Sequence, residues 1–362
     1  MSNRLSHSQI KLFSDCQMKW KFSYVDRLRE RTKGSALLFG TAFDKAIEAV
    51  LKDKSIDEYK IFDEVFANQE INKRMVHIPD SLLAIYSNAD LDQDLLLPED
   101  WKFLATKADE LIPNEEGDSG ELVHKCLSYK KQRSHRFFED GERKFLNLAS
   151  WLSLRRKGHL MLRENRHTVM PLIKEVLGAQ VEIKLENGEG DTVIGYADLV
   201  CKLHGHDETF VIDYKTSTID YLEDSARTSS QLGTYAHSLD LTKVGYFVFK
   251  KKIIKNRTKI CSACGFDGGT SGMKTCHNLI EGKRCGQPWI ETLKPSVDVQ
   301  VILDEISQET SEAITDNIEE VNRVINEGIF VRNLATCNMP WGRCPYFNTC
   351  HENGDEDDLE VV

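Results

Sequence analysis

The sequence has no apolar run approaching the roughly 18 residues needed to cross a bilayer. Its start, MSNRLSHSQIKLF, lacks the apolar segment of a secretory leader. These two absences predict a cytoplasmic protein with no membrane partner. A Gly-x-x-x-x-Gly-Lys-Ser/Thr loop is missing, so no ATPase motor of that kind is expected in the chain. There is no positive excess of charge: 47 Lys and Arg stand against 58 Asp and Glu, a formal net charge of -11. That balance excludes a generic nucleic-acid coat. It does not exclude an enzyme acting on nucleic acid, which needs only a local basic surface and whose metal-binding carboxylates add negative charge. RLRERTK (27–33), RRKGH (155–159) and KKKIIKNRTK (250–259) are candidates for such a surface, and each also fits an ordinary solvated face. Ten cysteines in 362 residues are too few for a disulfide scaffold. The last seven crowd between Cys261 and Cys350, which suggests metal ligation in a reducing compartment.

The chain opens in a helical pattern. SHSQIKLFSDCQMKWKFSYV spaces Ile10, Phe13, Cys16, Trp20 and Tyr24 three or four apart, one face of a helix, with Ser6 or Ser8 as its N-cap. Gly34 breaks the pattern before a second helix on LLFGTAFDKAIEAVL. Residues 52–179 are charged and mostly helical in pattern, with a loop at PNEEGDSGE (113–121). The character changes at Gln180. QVEIKLE, DTVIGYADLVCKL and ETFVIDYKTS read as three strands, SARTSSQLGTYAHSL as a helix and KVGYFVFKK as a fourth strand. This order predicts an α/β fold, a mixed sheet flanked by helices. A cysteine-rich insertion (261–285), a strand on SVDVQVIL and a long amphipathic helix on SQETSEAITDNIEEVNRVINEG follow. The expected organisation is a helical region over 1–179, a core over 180–350 and a disordered acidic tail over 351–362, where GDEDDLE lies.

The sharpest chemical signal lies on two neighbouring strands. GYAD places Asp198 on one, and VIDYKTS places Asp213 and Lys215 on the next. Strand residues two apart share a face, so Asp213 and Lys215 project together. A hairpin between the two strands would bring Asp198 to them. Two carboxylates at one point repel unless they share a cation, and oxygen ligands suit Mg²⁺ or Mn²⁺. A neighbouring lysine can orient a metal-activated water, so the set suits phosphodiester hydrolysis. Asp213 follows the apolar run FVI, and a carboxylate buried without a partner is costly. That weighs against an incidental surface position.

GYAD, IDYK and QLGTY, in this order, resemble the PD-(D/E)XK nucleases, in particular the RecB-like branch. The likeness covers residues 1–50, 180–250 and the C-terminal cysteines, and leaves 52–175 unmatched. It implies a restriction-endonuclease-like mixed sheet with a large helical region. It also implies a Gln-x-x-x-Tyr pair after the catalytic lysine, here Gln231 and Tyr235 on one helical face. Relatives place a metal-binding histidine four residues after a glycine of the second segment. Here Asp44 follows Gly40 and would take that role beside Asp198 and Asp213. Glu182, on the preceding strand, could support the site or be an exposed strand residue. The implied activity is a metal-dependent deoxyribonuclease, an exonuclease of DNA repair, recombination or phage DNA processing. DNA would be its substrate and a separate helicase or recombination protein its partner. The alternatives are a non-catalytic DNA-binding or scaffold subunit of a helicase–nuclease complex, and a nuclease directed at RNA.

Two cysteine sets remain. Cys261 and Cys264 form a Cys-x-x-Cys pair, and Cys276 and Cys285 follow. Glycines follow directly on Cys264 and Cys285, which suits a closed structural Zn²⁺ site of the ribbon or knuckle kind, with His277 as a possible substitute for Cys276. Cys337, Cys344 and Cys350 offer three thiols without an obvious fourth ligand. Likeness to the AddB and CRISPR-associated iron–sulfur nucleases implies that Cys16 completes a [4Fe–4S] site with them. The six-residue gap between Cys337 and Cys344 departs from the family's usual two, and zinc is the rival occupant. Cys126 and Cys201 have no partner pattern and read as core residues.

Overall fold

The computed structural model describes residues 4–30, 35–71, 74–77, 95–96, 99–100, 102–104, 106, 140–186, 192–339, 342–351 and 359–361. The expected loop at 113–121, Gly34 and Cys126 lie outside them. The first elements are β1 (Arg4–Ser6), α1 (His7–Asp15), α2 (Gln17–Tyr24), β2 (Leu28–Glu30), α3 (Ser35–Lys52) and α4 (Glu58–Ala67). A short antiparallel pair, β3 (Asn68–Ile71) and β4 (Arg74–His77), comes next, then α5 (Asp140–Glu164). The sheet strands are β5 (Ile173–Glu186), β6 (Thr192–Leu203), β7 (Thr209–Ser217), β8 (Lys243–Cys261) and β11 (Trp289–Glu305), with α6 (Ser230–Ser238) between β7 and β8.

The sheet is mixed, in the order β1-β6-β7-β8-β11, with β5 also on β6. β5, β6 and β7 form an antiparallel meander, and β7 and β8 are parallel. A parallel pair needs a crossover, and α6 supplies it. Ser229 caps α6, its hydroxyl accepting from Leu232 N at 3.1 Å. One edge of β6 changes partner along its length. Residues 192–194 pair with β1 and residues 199–202 with β7. Between these two ladders the edge is free at residues 195–198, and Asp198 stands in that gap.

Apolar clusters lie on both faces of the sheet. Phe39, Phe43, Phe62 and Phe66 of α3 and α4 pack with Leu199, Ile212, Phe247 and Phe249 of the strands. The helical region and the sheet therefore share one core across the boundary expected at 179/180. The strand begins at Ile173, seven residues before the legible alternation. Register shifts between Ile173 and Glu175 and between Val176 and Gly178, with left-handed backbone at Gln180 (φ 54°), break the two-residue period there.

Three other expectations change. The first helix is two, because Cys16 is extended (φ −163°, ψ 112°) and ends α1 before α2 starts. Ser6, not Ser8, is the N-cap, accepting from Gln9 N at 3.3 Å. The strands flanking the cysteine-rich insertion are longer than the segments KVGYFVFKK and SVDVQVIL. β8 and β11 run on as a long hairpin arm that carries it at the tip, from Cys261 to Trp289. A small hairpin of β9 (Leu279–Ile280) and β10 (Lys283–Arg284) lies within it.

The C-terminal part closes back onto the N-terminus. α7 (Gln308–Glu327) ends at Gly328, whose left-handed φ of 70° a side chain would strain. Ile318 and Val321 of α7 pack on Ile10, Phe13 and Trp20. Beyond it come the two-residue strands β12 (Asn338–Met339) and β13 (Gly342–Arg343), then α8 (Phe347–His351). The end of the acidic tail, expected to be disordered, is a strand: β14 (Leu359–Val361) pairs with β2, and buried Leu359 packs with Phe22, Leu28 and Tyr346. One apolar side chain anchors the end of a segment whose charge alone suggests a free tail; residues 352–358 lie outside the described residues. No helix among the described residues is long and apolar enough to cross a membrane.

Candidate active site and two cysteine clusters

Asp198, Asp213, Lys215, Gln231 and Tyr235 meet in one recess. Antiparallel pairing of Leu199 with Ile212 sets Asp198 against Asp213 across the β6–β7 hairpin. In the β6 gap, the Tyr214 N–H donates to Asp198 Oδ2 at 2.9 Å, so a side chain replaces the backbone acceptor that pairing would supply. Gln180 Nε2 donates to Asp198 Oδ1 at 3.0 Å. Asp213 is almost wholly buried, and its Oδ2 lies 2.6 Å from Lys215 Nζ. Gln231 bridges the group: Nε2 donates to Asp213 Oδ1 at 2.8 Å and to Tyr235 Oη at 3.1 Å, while Oε1 accepts from Lys215 Nζ at 3.1 Å. The four-residue spacing on α6 puts Gln231 and Tyr235 on one face. Gly195 makes room for the tyrosine: a Cβ there would stand 2.7 Å from Tyr235 Cε1.

Asp44, on α3, reaches the same recess. Its side chain is exposed to solvent, although the walls of the recess surround it. Burial first, and then the charge of Asp213, push its carboxyl up to about 7. Asp198 is raised well above the usual carboxylate range by burial, then by Asp213 and Asp44. Burial also raises Asp213, against the opposing pull of Lys215. Burial disfavours the Lys215 cation, but Asp213 facing it raises the ammonium above its ordinary range. Three carboxylates thus crowd around one lysine, and a single cation cannot neutralise them. The surplus negative charge and the all-oxygen donor set fit a hard divalent ion such as Mg²⁺ or Mn²⁺.

Glu182, on β5, lies opposite Tyr196, half-exposed, 3.3 Å from Lys184. Two neighbours of the site had no sequence signal. Gln180 marks only a change in pattern, and its contact with Asp198 depends on its left-handed backbone. His7 lies in the first helical stretch, where no spacing rule connects it to Lys215, and the fold brings it to the same recess.

The arm tip gathers Cys261, Cys264, Cys276 and Cys285. Their sulfurs all lie within 4.8 Å of one another, and this is the one such group found among the described residues. Cys261 and Cys285 sulfurs are 3.6 Å apart, Cys264 and Cys276 3.7 Å. Gly265 (φ 69°) and Gly286 (φ 65°) turn the two knuckles, where a side chain would strain the backbone. The four can hold a metal ion. His277 is not in the group; its ring packs against Phe266 and Trp289.

Cys16, Cys337, Cys344 and Cys350 line one small cavity beneath α2, with His351 and Tyr346. The break at Cys16 puts its thiol at the α1–α2 junction, where Val331 N donates to Gln17 Oε1 at 2.8 Å and Asn333 Nδ2 to Asp15 O at 2.8 Å. The Tyr346 hydroxyl lies 2.9 Å from Ser23 Oγ and donates to Leu28 O at 3.1 Å, tying the C-terminal segment to α2 and β2. These thiols are spread more widely than those of the arm tip. Cys337 Sγ lies 3.5 Å from His351 Nε2. Cys201 is buried in the core, its thiol pushed up to about 12 by burial.

A search of curated proteins finds no match. The family model of the PD-(D/E)XK nuclease superfamily matches residues 4–89 and 100–351, well over half of the sequence and including every site residue named above. With an acid–acid–lysine recess on a mixed sheet and a match of that extent, the chain belongs to the PD-(D/E)XK nuclease superfamily.

Proposed function

We propose that this nuclease is a metal-dependent deoxyribonuclease of the RecB-like branch, acting as an exonuclease in DNA repair, recombination or phage DNA processing. The observation that carries the reading is the crowding of Asp44, Asp198 and Asp213 around one lysine, which a further cation would balance with all three ionised. A bound Mg²⁺ or Mn²⁺ would supply an activated water and charge neutralisation at the phosphoryl oxygens. The three carboxylates would hold it. Tyr214 N and Gln180 fix Asp198 for this role, and Gln231 fixes Asp213. Lys215, oriented by Gln231 Oε1, directs its ammonium at the attacked phosphate and the incoming water. Tyr235 keeps Gln231 in that rotamer. The chain carries no phosphate-binding motor loop, so any helicase or recombination protein that works with it is a separate partner. The test is Mg²⁺- or Mn²⁺-dependent release of nucleotides from labelled DNA. Asp213→Ala and Lys215→Ala should each abolish it, and cleavage at the wild-type rate by either variant would refute the assignment.

On the same reading, the arm-tip cysteines hold a structural Zn²⁺ and the Cys16 set holds a [4Fe–4S] cluster. The wide spacing of the second set supports the cluster, since a cluster is larger than one ion. A specific observation favours zinc there instead: the cavity has only about 10 Å³ of free space, and His351 stands beside Cys337. Anaerobic purification with metal analysis and a visible spectrum separates the two. Iron with a broad charge-transfer band supports the cluster, whereas zinc in both sets and no iron overturns it.

A further inference from the structure

Two cavities meet at Lys215. One, of about 580 Å³, runs along α1 and the start of α6. The other, of about 550 Å³, lies between the β1–α1 junction and β6. Four residues line both: His7, Ser8, Lys215 and Gln231. These four are therefore the partition between them. Lys215 and Gln231 are already accounted for by the site; His7 is not.

His7 is the first residue of α1 and is held firmly in place. β1, directly before it, pairs in parallel with β6 through Arg4 with Thr192 and Ser6 with Ile194. Ser6 then caps the helix. The imidazole is half-buried, and its ring nitrogens have no hydrogen-bond partner among the described residues. The charged groups acting on it are Lys215 and Lys11, the latter one helical turn further on. Burial first, then these two cations, push the imidazole down to about 4, so it is neutral at physiological pH and offers one N–H donor. A neutral donor flanked by two ammonium groups, open to cavities on both sides, is arranged for an anion that continues in both directions. A phosphodiester is such an anion. The larger cavity adds hydroxyls from Ser225, Thr228, Ser229 and Ser230, which suit the polar edges of a nucleoside.

We propose that His7 is a substrate-contacting residue: the nucleic-acid strand crosses the partition with a nucleotide in each cavity, and the His7 N–H donates to the phosphodiester adjoining the one at Lys215. The inference rests on the nuclease reading above and adds the path of the strand and the residue that sets its register.

The experiment uses single-stranded oligonucleotides carrying one uncharged methylphosphonate at each linkage in turn. Binding is measured to the full chain carrying Asp213→Asn, with and without His7→Ala. One linkage beside the scissile phosphate should lose about tenfold in affinity when neutralised, and His7→Ala should shrink that loss to about twofold or less while leaving the other linkages unchanged. In cleavage assays with Asp213 intact, His7→Ala should raise KM more than it lowers kcat, and His7→Gln, which keeps a donor, should recover part of the loss. His7→Gln also serves if His7→Ala does not fold. Methylphosphonate penalties identical at every linkage with and without His7 would overturn the inference while metal-dependent cleavage left the nuclease reading standing. Failure of the unmodified chain to cut any DNA with Mg²⁺ or Mn²⁺ would instead overturn the nuclease reading, and this inference with it.

Discussion

Asp44→Asn should stabilise the metal-free protein while impairing its metal-dependent activity. In the folded chain the carboxyl is raised from 3.8 to about 7, by burial and then by Asp213. If the whole difference became free energy, ionising Asp44 would cost about 4 kcal/mol of stability. The side chain keeps contact with solvent, and screening leaves about 1–2 kcal/mol. For a chain of this length that is about 1–3 °C in melting temperature. The sign follows from the folded pKa lying above the unfolded one. The penalty is absent below about pH 4, grows as pH rises toward about 7 and is complete above it. The gain from asparagine should therefore be present near pH 8 and fade toward pH 4. The assay is thermal unfolding of both proteins across that range without added Mg²⁺ or Mn²⁺, then with it. The added ion should stabilise the wild type more than the variant, because a ligand stabilises the state that binds it. A lower melting temperature for Asp44→Asn near pH 8, or an equal gain at both ends of the range, would refute the account of crowded carboxylates.

Gln231→Ala removes the hydrogen bonds to Asp213 at 2.8 Å and from Lys215 at 3.1 Å, and kcat should fall about 10- to 100-fold with the fold intact by circular dichroism. Gly195→Val places carbon where the Tyr235 ring lies 2.7 Å away, so the ring must move and DNA cleavage should drop more than thermal stability. If the C-terminal set holds the proposed metal, Cys16→Ser should remove it and lower the melting temperature, since the metal would tie the α1–α2 junction to residues 337–350; unchanged metal content would count against Cys16 as a ligand. Cys261→Ser should release the metal of the arm tip, seen by metal analysis, and leave the core's circular dichroism unchanged because the tip lies outside both main apolar clusters.

Asp213 and Lys215 were legible as a pair because strand side chains alternate with a period of two whatever the fold around them. Gln231 and Tyr235 were legible because four residues make nearly one helical turn. The break at Cys16 was not: a thiol spaced like its apolar neighbours gives no sign that its backbone is extended. The start of β5 was hidden for a related reason, since two register shifts and a left-handed Gln180 erase the alternation that marks a strand. The end of the acidic tail misled because composition averages over charges, while one buried Leu359 decides where the segment docks.

Sequence by itself determined the fold class, the Asp213–Lys215 and Gln231–Tyr235 pairs and the Cys261–Cys264 pair, because each depends on residue types at short, regular separations. Resemblance to a family implied that Asp44 joins Asp198 and Asp213 and that Cys16 joins cysteines more than 300 positions away, but only the tertiary structure brings those groups together, and it alone placed His7 at the partition beside Lys215. Those meetings depend on how the sheet edge of β6 is divided between β1 and β7 and on which apolar faces bury one another. No local period of the chain encodes either.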